Sequence, residues 1–344
     1  MAKAAYLYSK HDIRIEEHPL PSLGPYDMLV RIVCCGVCGS DARMYFSGPT
    51  PRYISPVVLG HEISAEVVKL GSHVREFGQS DLVSVGPIIP CMSCAACSRG
   101  QDNLCASGQV VGCTLHGGMA EYMHIPAKMV LSGGVVKLGS TVSPRTGALA
   151  ELVGCCLEGL DQFCVRAGDG MLVIGDGPIG LTFLQLAKLM GLTYVATSGR
   201  RLHRRRLAQS LGADEAHDAA KLHLAEHYSR SLDHVVVATA NPSAAAEAME
   251  ALRPGGNLLL FSGYQYGSQI SLDLNAIHYR QLHLHGSIDC TVANFRRATA
   301  LLPNLRMEEL ITHALPLEQC VDAVLASKEP EAVKVVLEPG GTPI

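Results

Sequence analysis

The run Gly175-Asp176-Gly177-Pro178-Ile179-Gly180 constrains the fold more than any other stretch of this chain. It is a G-x-G-x-x-G that follows a short apolar run at 171–174 and opens a helical stretch at 179–190. That order asks for a strand, a tight glycine turn and a helix whose N-terminal N–H groups face a pyrophosphate. The glycines alone are weak evidence. A strand before, a helix after and a second apolar run from Tyr194 make the pattern strong. Gly175, Gly177, Pro178, Ile179 and Gly180 are therefore expected to bind a dinucleotide. Strand-like and helical runs keep alternating downstream, at 194–196, 202–211, 234–238, 243–252 and 257–261. Such alternation predicts an α/β unit with a doubly wound parallel sheet.

The end of the second strand selects the cofactor. An acidic side chain there would hold the ribose 2′-OH of NAD. The sequence LTYVATSGRR has no acid: Ser198 and Gly199 are followed by Arg200 and Arg201, with Arg204 and Arg205 close behind. A small residue leaves room for a 2′-phosphate, and guanidinium forks match phosphate geometry. NADP(H) is the expected cofactor, with NAD(H) second. The competing reading is a basic, solvated helix start.

Upstream the texture differs. Short apolar runs at 28–35, 57–59, 63–68, 82–85 and 119–125 are broken by glycine and proline, which suggests a mostly β domain. Past about residue 294 come helical stretches at 295–302 and 318–326 and a last apolar strand at 332–337. The N-terminus lacks the pattern of a secretory leader, and no apolar run reaches the roughly 18 residues of a membrane span. With a net charge of −4, neither nucleic acid nor a membrane is an expected partner, and the expected location is the cytoplasm.

In a reducing compartment the 13 cysteines are candidates for metal binding rather than disulfides. Cys91, Cys94, Cys97 and Cys105 give C-x2-C-x2-C-x7-C. Four thiolates close a tetrahedral zinc shell and leave no open position, so this zinc would be structural. A second, open site is suggested by Cys38 in CGVCGSD and by His61 and Glu62 in GHE. A catalytic zinc needs about three protein ligands plus a place for water or substrate. Glu151, in ALAELVG, is a further ligand candidate or a partner of the bound water. Asp41 could accept the other ring N–H of His61. Taken singly, His61 reads as a core histidine and Cys38 as a small buried hydrophobe; their company gives them chemical sense.

Together CGVCGSD, GHE, the four-cysteine lobe, GGMAEY, ALAE, GDGPIG and VKVVL resemble the zinc-containing medium-chain dehydrogenase/reductase superfamily over nearly the whole chain. The resemblance implies a GroES-like catalytic domain at 1–152 and 290–344, with the structural lobe at about 90–106, and a Rossmann domain at 153–289. It implies two zinc ions per subunit, a small-molecule alcohol or ketone as substrate, and a homodimer or homotetramer. Carried over by position, Cys38, His61 and Glu62 match catalytic-zinc motifs. Glu151 sits where polyol-type members have a glutamate, Ser40 matches the hydroxyl that passes the substrate proton, and Lys334 matches a basic position that reaches the cofactor pyrophosphate. The expected activity is hydride transfer between NADP(H) and a secondary alcohol or ketone of polyol, sugar-alcohol or cyclitol type. L-Threonine or amino-alcohol oxidation, a zinc-free quinone-type reductase and a crystallin-like structural protein are the rivals.

Two positions depart from the family. The relay histidine expected five residues after the zinc cysteine is Arg43, which stays protonated and cannot act as a base. The Arg-Tyr pair of sorbitol dehydrogenases is replaced by Asp289 and Cys290, which argues against sorbitol itself.

Overall fold

Glycine- and proline-punctuated apolar runs become antiparallel strands, and the alternating region becomes a parallel sheet. The computed structural model describes residues 2–341, so 342–344 of the expected tail lie outside it. The chain forms two compact units. One comprises residues 1–154, 290–303 and 307–344, and the other residues 155–289 with 304–306.

The first unit is mostly β. Its main sheet runs in the order Val135–Lys137, Leu82–Val85, Glu62–Leu70, Met28–Val37, Lys334–Leu337 and Ile311–Leu315, with Tyr122–Ile125 also paired to Met28–Val37. The long central strand Met28–Val37 is almost wholly buried, which explains its continuous apolar run. Val335, Val336 and Leu337 pair antiparallel with Val37, Gly36 and Cys35. The strand Lys334–Leu337 therefore lies inside the sheet, between Ile311–Leu315 and the segment that leads into Cys38. Ile32, Ile63, Val83, Met119 and Leu337 belong to one buried core here.

The second unit has six parallel strands in the order Glu215–Asp218, Tyr194–Gly199, Gly170–Ile174, Leu232–Val237, Leu252–Leu260 and His283–Gly286. Numbered within the unit, this is 3-2-1-4-5-6, the order that brings dinucleotides to the carboxyl ends of the strands. Leu172, Ala196, Val235 and Leu258 fill its core. The sequence places one helix at 243–252. The structure ends that helix, Pro242–Ala248, earlier, and a strand starts at Leu252. The Arg253-Pro254-Gly255-Gly256 stretch reads as a loop in sequence, yet the strand runs through it with a register shift between Leu232 and His234 of its neighbour. No helix among the described residues is long and apolar enough to cross a membrane.

Candidate active site, structural lobe and cofactor groove

Three segments of the first unit converge on a candidate metal site. The strand Met28–Val37 ends just before Cys38, which caps the helix Gly39–Ser47. His61 and Glu62 lie at the start of the strand Glu62–Leu70. One donor atom each from Cys38, His61 and Glu62 lies within 4.8 Å of the other two. Asp41, buried in the first turn of the helix, ties these segments together. Its Oδ2 accepts the N–H of Cys38 at 2.8 Å, its Oδ1 accepts the N–H of Gly60 at 3.3 Å, and the same Oδ1 lies 3.8 Å from Nδ1 of His61. Burial disfavours a charged His61, but Cys38 and Asp41 together raise its pKa well above the usual value.

Glu62 is fully buried and paired. Nζ of Lys334 donates to Oε1 of Glu62 at 2.6 Å, lies 2.5 Å from Oε2, and donates to the carbonyl of Val37 at 3.1 Å. Burial favours the neutral amine, yet Glu62 and then Cys38 raise the Lys334 pKa above its ordinary value. Lys334 is only 3% exposed. Its ammonium faces the Glu62 carboxylate in this structure. Gly36 makes room for this pair, because a Cβ there would stand 1.9 Å from Oε2 of Glu62. Oε2 is buried and has an ionic neighbour but no hydrogen bond. A thiol, an imidazole and an under-satisfied carboxylate oxygen make a donor set that fits zinc.

Glu151 occupies the first turn of the helix Ala150–Leu160 and is 8% exposed. It stands outside the tight group of three but acts electrostatically on both His61 and Lys334. Ser40 lies in the first turn of its helix, two residues past Cys38, and Arg43 is exposed on the same helix.

In the lobe, the four thiols are gathered with no disulfide among them. Sulfur–sulfur distances are 3.5 Å for Cys94–Cys97, 3.8 Å for Cys94–Cys105 and 3.9 Å for Cys91–Cys97. Four sulfurs about 2.3 Å from a tetrahedral ion stand about 3.8 Å apart, so the cluster fits zinc. The backbone and hydroxyl of Ser93 head the interactions that lower the Cys91 pKa to about 5, which favours the thiolate. Cys97→Ser is expected to cost one zinc per chain. It should also raise tryptic cleavage after the exposed Arg99 by about tenfold, equivalent to about 1.4 kcal/mol of local opening. Zinc analysis and timed proteolysis check this; unchanged cleavage would count against a structural metal.

The second unit holds a cavity of about 570 Å³ at the carboxyl ends of its first strands. Gly175, Gly177, Ser198, Gly199 and Arg200 line it. Pro178, Ile179 and Gly180 form the first turn of the helix Pro178–Leu189 instead. A Cβ on Gly180 would meet the Gly175 carbonyl at 1.8 Å, so this glycine serves the helix–turn contact. A Cβ on Gly177 would meet nothing within 4 Å, which leaves open space before the helix N-terminus for a pyrophosphate. Arg201 donates its N–H to Oδ2 of Asp176 at 3.2 Å.

Asp176 is the residue that the sequence reading missed. The second strand carries no acid, but a Cβ on Gly199 would fall 2.0 Å from Oδ2 of Asp176. The glycine loop therefore lends a carboxylate to the place where that strand's own side chain would point. Arg204 lies 3.9 Å from it, and Arg205 pairs with Asp218 at 3.3 Å. At the turn after the last strand, Asp289 adopts a left-handed φ of 51°, a conformation aspartate tolerates better than most residues.

Residues 24–137 match the alcohol dehydrogenase GroES-like domain family, and residues 178–304 match the zinc-binding dehydrogenase family. A zinc-binding dehydrogenase from Sinorhizobium meliloti 1021, solved bound to NADP, is 30% identical over 98% of this chain and 99% of its own, with a TM-score of 0.92. The chain belongs to the zinc-binding alcohol dehydrogenases. D-arabinitol dehydrogenase 1 of Uromyces fabae is 27% identical to this dehydrogenase over 98% of the chain and 97% of its own length. The 2R,3R-butanediol dehydrogenase of Bacillus subtilis is 26% identical, covers 99% of this chain and 100% of its own, and superposes with a TM-score of 0.88. As a member of this family the dehydrogenase uses zinc and a nicotinamide dinucleotide, and it acts on a small-molecule alcohol.

Proposed function

We propose that this dehydrogenase moves hydride between NADP(H) and a secondary alcohol or ketone of polyol, sugar-alcohol or cyclitol type. The observation that carries the reading is the convergence of Cys38, His61 and Glu62 within 4.8 Å, with Glu151 rather than a cysteine nearby. The D-arabinitol dehydrogenase relative supports a polyol substrate. The low aromatic content, 5% with no tryptophan, disfavours a large apolar substrate.

When bound, zinc withdraws charge from the alcohol oxygen and the nicotinamide exchanges hydride with the carbinol carbon. Cys38 and His61 would hold the ion, with Glu62 or Glu151 supplying the carboxylate. Asp41 orients His61 through its Nδ1 side. Ser40 takes the hydroxyl proton and passes it on. The exposed, permanently protonated Arg43 does not continue that path, so the proton leaves through water or another group. Lys334 places its ammonium against the Glu62 carboxylate and balances its charge.

Arg200, exposed on the groove wall, would fork onto the 2′-phosphate. Asp176 offers an acceptor at the same end of the groove, which keeps NAD(H) as a second cofactor. Arg200→Ala is expected to weaken NADPH by about 10- to 100-fold, the loss of a charge-assisted hydrogen bond of about 1.5–3 kcal/mol. NADH affinity should change by less than about twofold on the same scale. Fluorescence titration of both cofactors decides it; equal losses would mean that the arginine is solvated surface. Substrate class is tested by assaying polyols, amino alcohols and ketones with both cofactors. Turnover restricted to amino alcohols would replace the polyol reading.

A further inference from the structure

Side chains alternate along the edge strand Glu215–Asp218, so Glu215 and His217 share a face. The short helix Leu224–Tyr228 brings His227 to them. Oε2 of Glu215 lies 3.2 Å from Nε2 of His217 and 3.2 Å from Nε2 of His227. The two rings are 4.6 Å apart and steeply inclined, at 74°. One donor atom from each of the three residues lies within 4.8 Å of the others. The proposed reaction uses none of them.

We propose that Glu215, His217 and His227 form a third metal site, for a divalent transition ion such as zinc, nickel or copper. Two imidazoles and a carboxylate are the donors that such ions prefer. Nitrogen and oxygen ligands about 2.0–2.1 Å from a tetrahedral ion stand about 3.3 Å apart, close to the spacing from Glu215 to each ring. His227 is 41% exposed on its side chain, so an ion has a route in from solvent and room to keep a water. The hydroxyl of Tyr228 lies 2.9 Å from Nε2 of His217 and must yield that contact. The site is therefore weaker than the four-thiolate lobe, and it takes an ion that is exchangeable rather than resident.

Between the proposed ligands in sequence lie Ala219, Ala220, Leu222 and Leu224, which line the dinucleotide cavity. An ion bridging the strand and the short helix pins that wall at both ends. The coupling rests on the cofactor reading above; the metal site itself does not.

Dialysed protein that retains its native zinc should be titrated with Zn2+ alone by calorimetry. One further equivalent with a micromolar Kd is expected. His227→Ala and Glu215→Gln should each weaken it at least tenfold while keeping the wild-type melting temperature without added metal. The same titration with Co2+ should add an equivalent without a thiolate charge-transfer band, because the donor set has no sulfur. No further equivalent, a sulfur band, or an equivalent that survives both variants would overturn the site. NADPH affinity measured with and without Zn2+ tests the coupling separately: a metal site with no effect on NADPH removes the wall-pinning role alone.

Discussion

Replacing Cys38 by serine is expected to lower kcat by about a thousandfold or more and to leave NADPH affinity within about twofold. Polarising an alcohol oxygen is worth several kcal/mol to the transition state, and about 4 kcal/mol corresponds to a thousandfold in rate. Cys38 would share an ion with His61 and a carboxylate, and serine is a poor substitute for a thiolate at such a site. All the residues that line the dinucleotide cavity lie between 174 and 247, on strands, loops and helices of the other unit. Steady-state kinetics beside a fluorescence titration separates the two effects. Retained turnover would remove the catalytic role proposed for this cysteine, and joint loss of NADPH binding would point to misfolding.

Lys334→Met should destabilise the protein by about 3–5 kcal/mol, because it leaves the Glu62 carboxylate buried without its partner. At about 2–4 °C per kcal/mol for a unit of this size, the melting midpoint should fall by at least about 6 °C. Adding Glu62→Gln to Lys334→Met should restore most of the loss, since a neutral pair of similar shape has no uncompensated charge. The measurement is best made with and without a chelator. A bound ion gives Glu62 another cation, so the chelated single variant should show the larger loss. A single variant as stable as the wild type would show that Lys334 and Glu62 are not an energetic unit.

What could be read from the sequence was local. The strand, glycine turn and helix around 170–189 are contiguous, and each glycine has a geometric task within that stretch. The four lobe cysteines span Cys91 to Cys105, so their spacing alone conveys the donor set. The parts that stayed hidden depend on distant neighbours. Glu62 and Lys334 are 272 positions apart, and only the pairing of the last strand with Met28–Val37 brings them together. Gly36 reads as an ordinary strand glycine until the Glu62 carboxylate is seen in the space that its side chain would fill. Asp176 looks like a filler between two glycines, yet it supplies the carboxylate that Gly199 lacks. The strand Glu215–Asp218 has no apolar alternation to announce it, because it is a half-buried edge with polar side chains.

Anomalous diffraction at the zinc absorption edge, on crystals grown without added metal, tests the central claim most directly. One peak is expected bonded to Sγ of Cys38, a ring nitrogen of His61 and a carboxylate oxygen of Glu62 or Glu151. An active preparation whose map shows no density between Cys38 and His61 would contradict it.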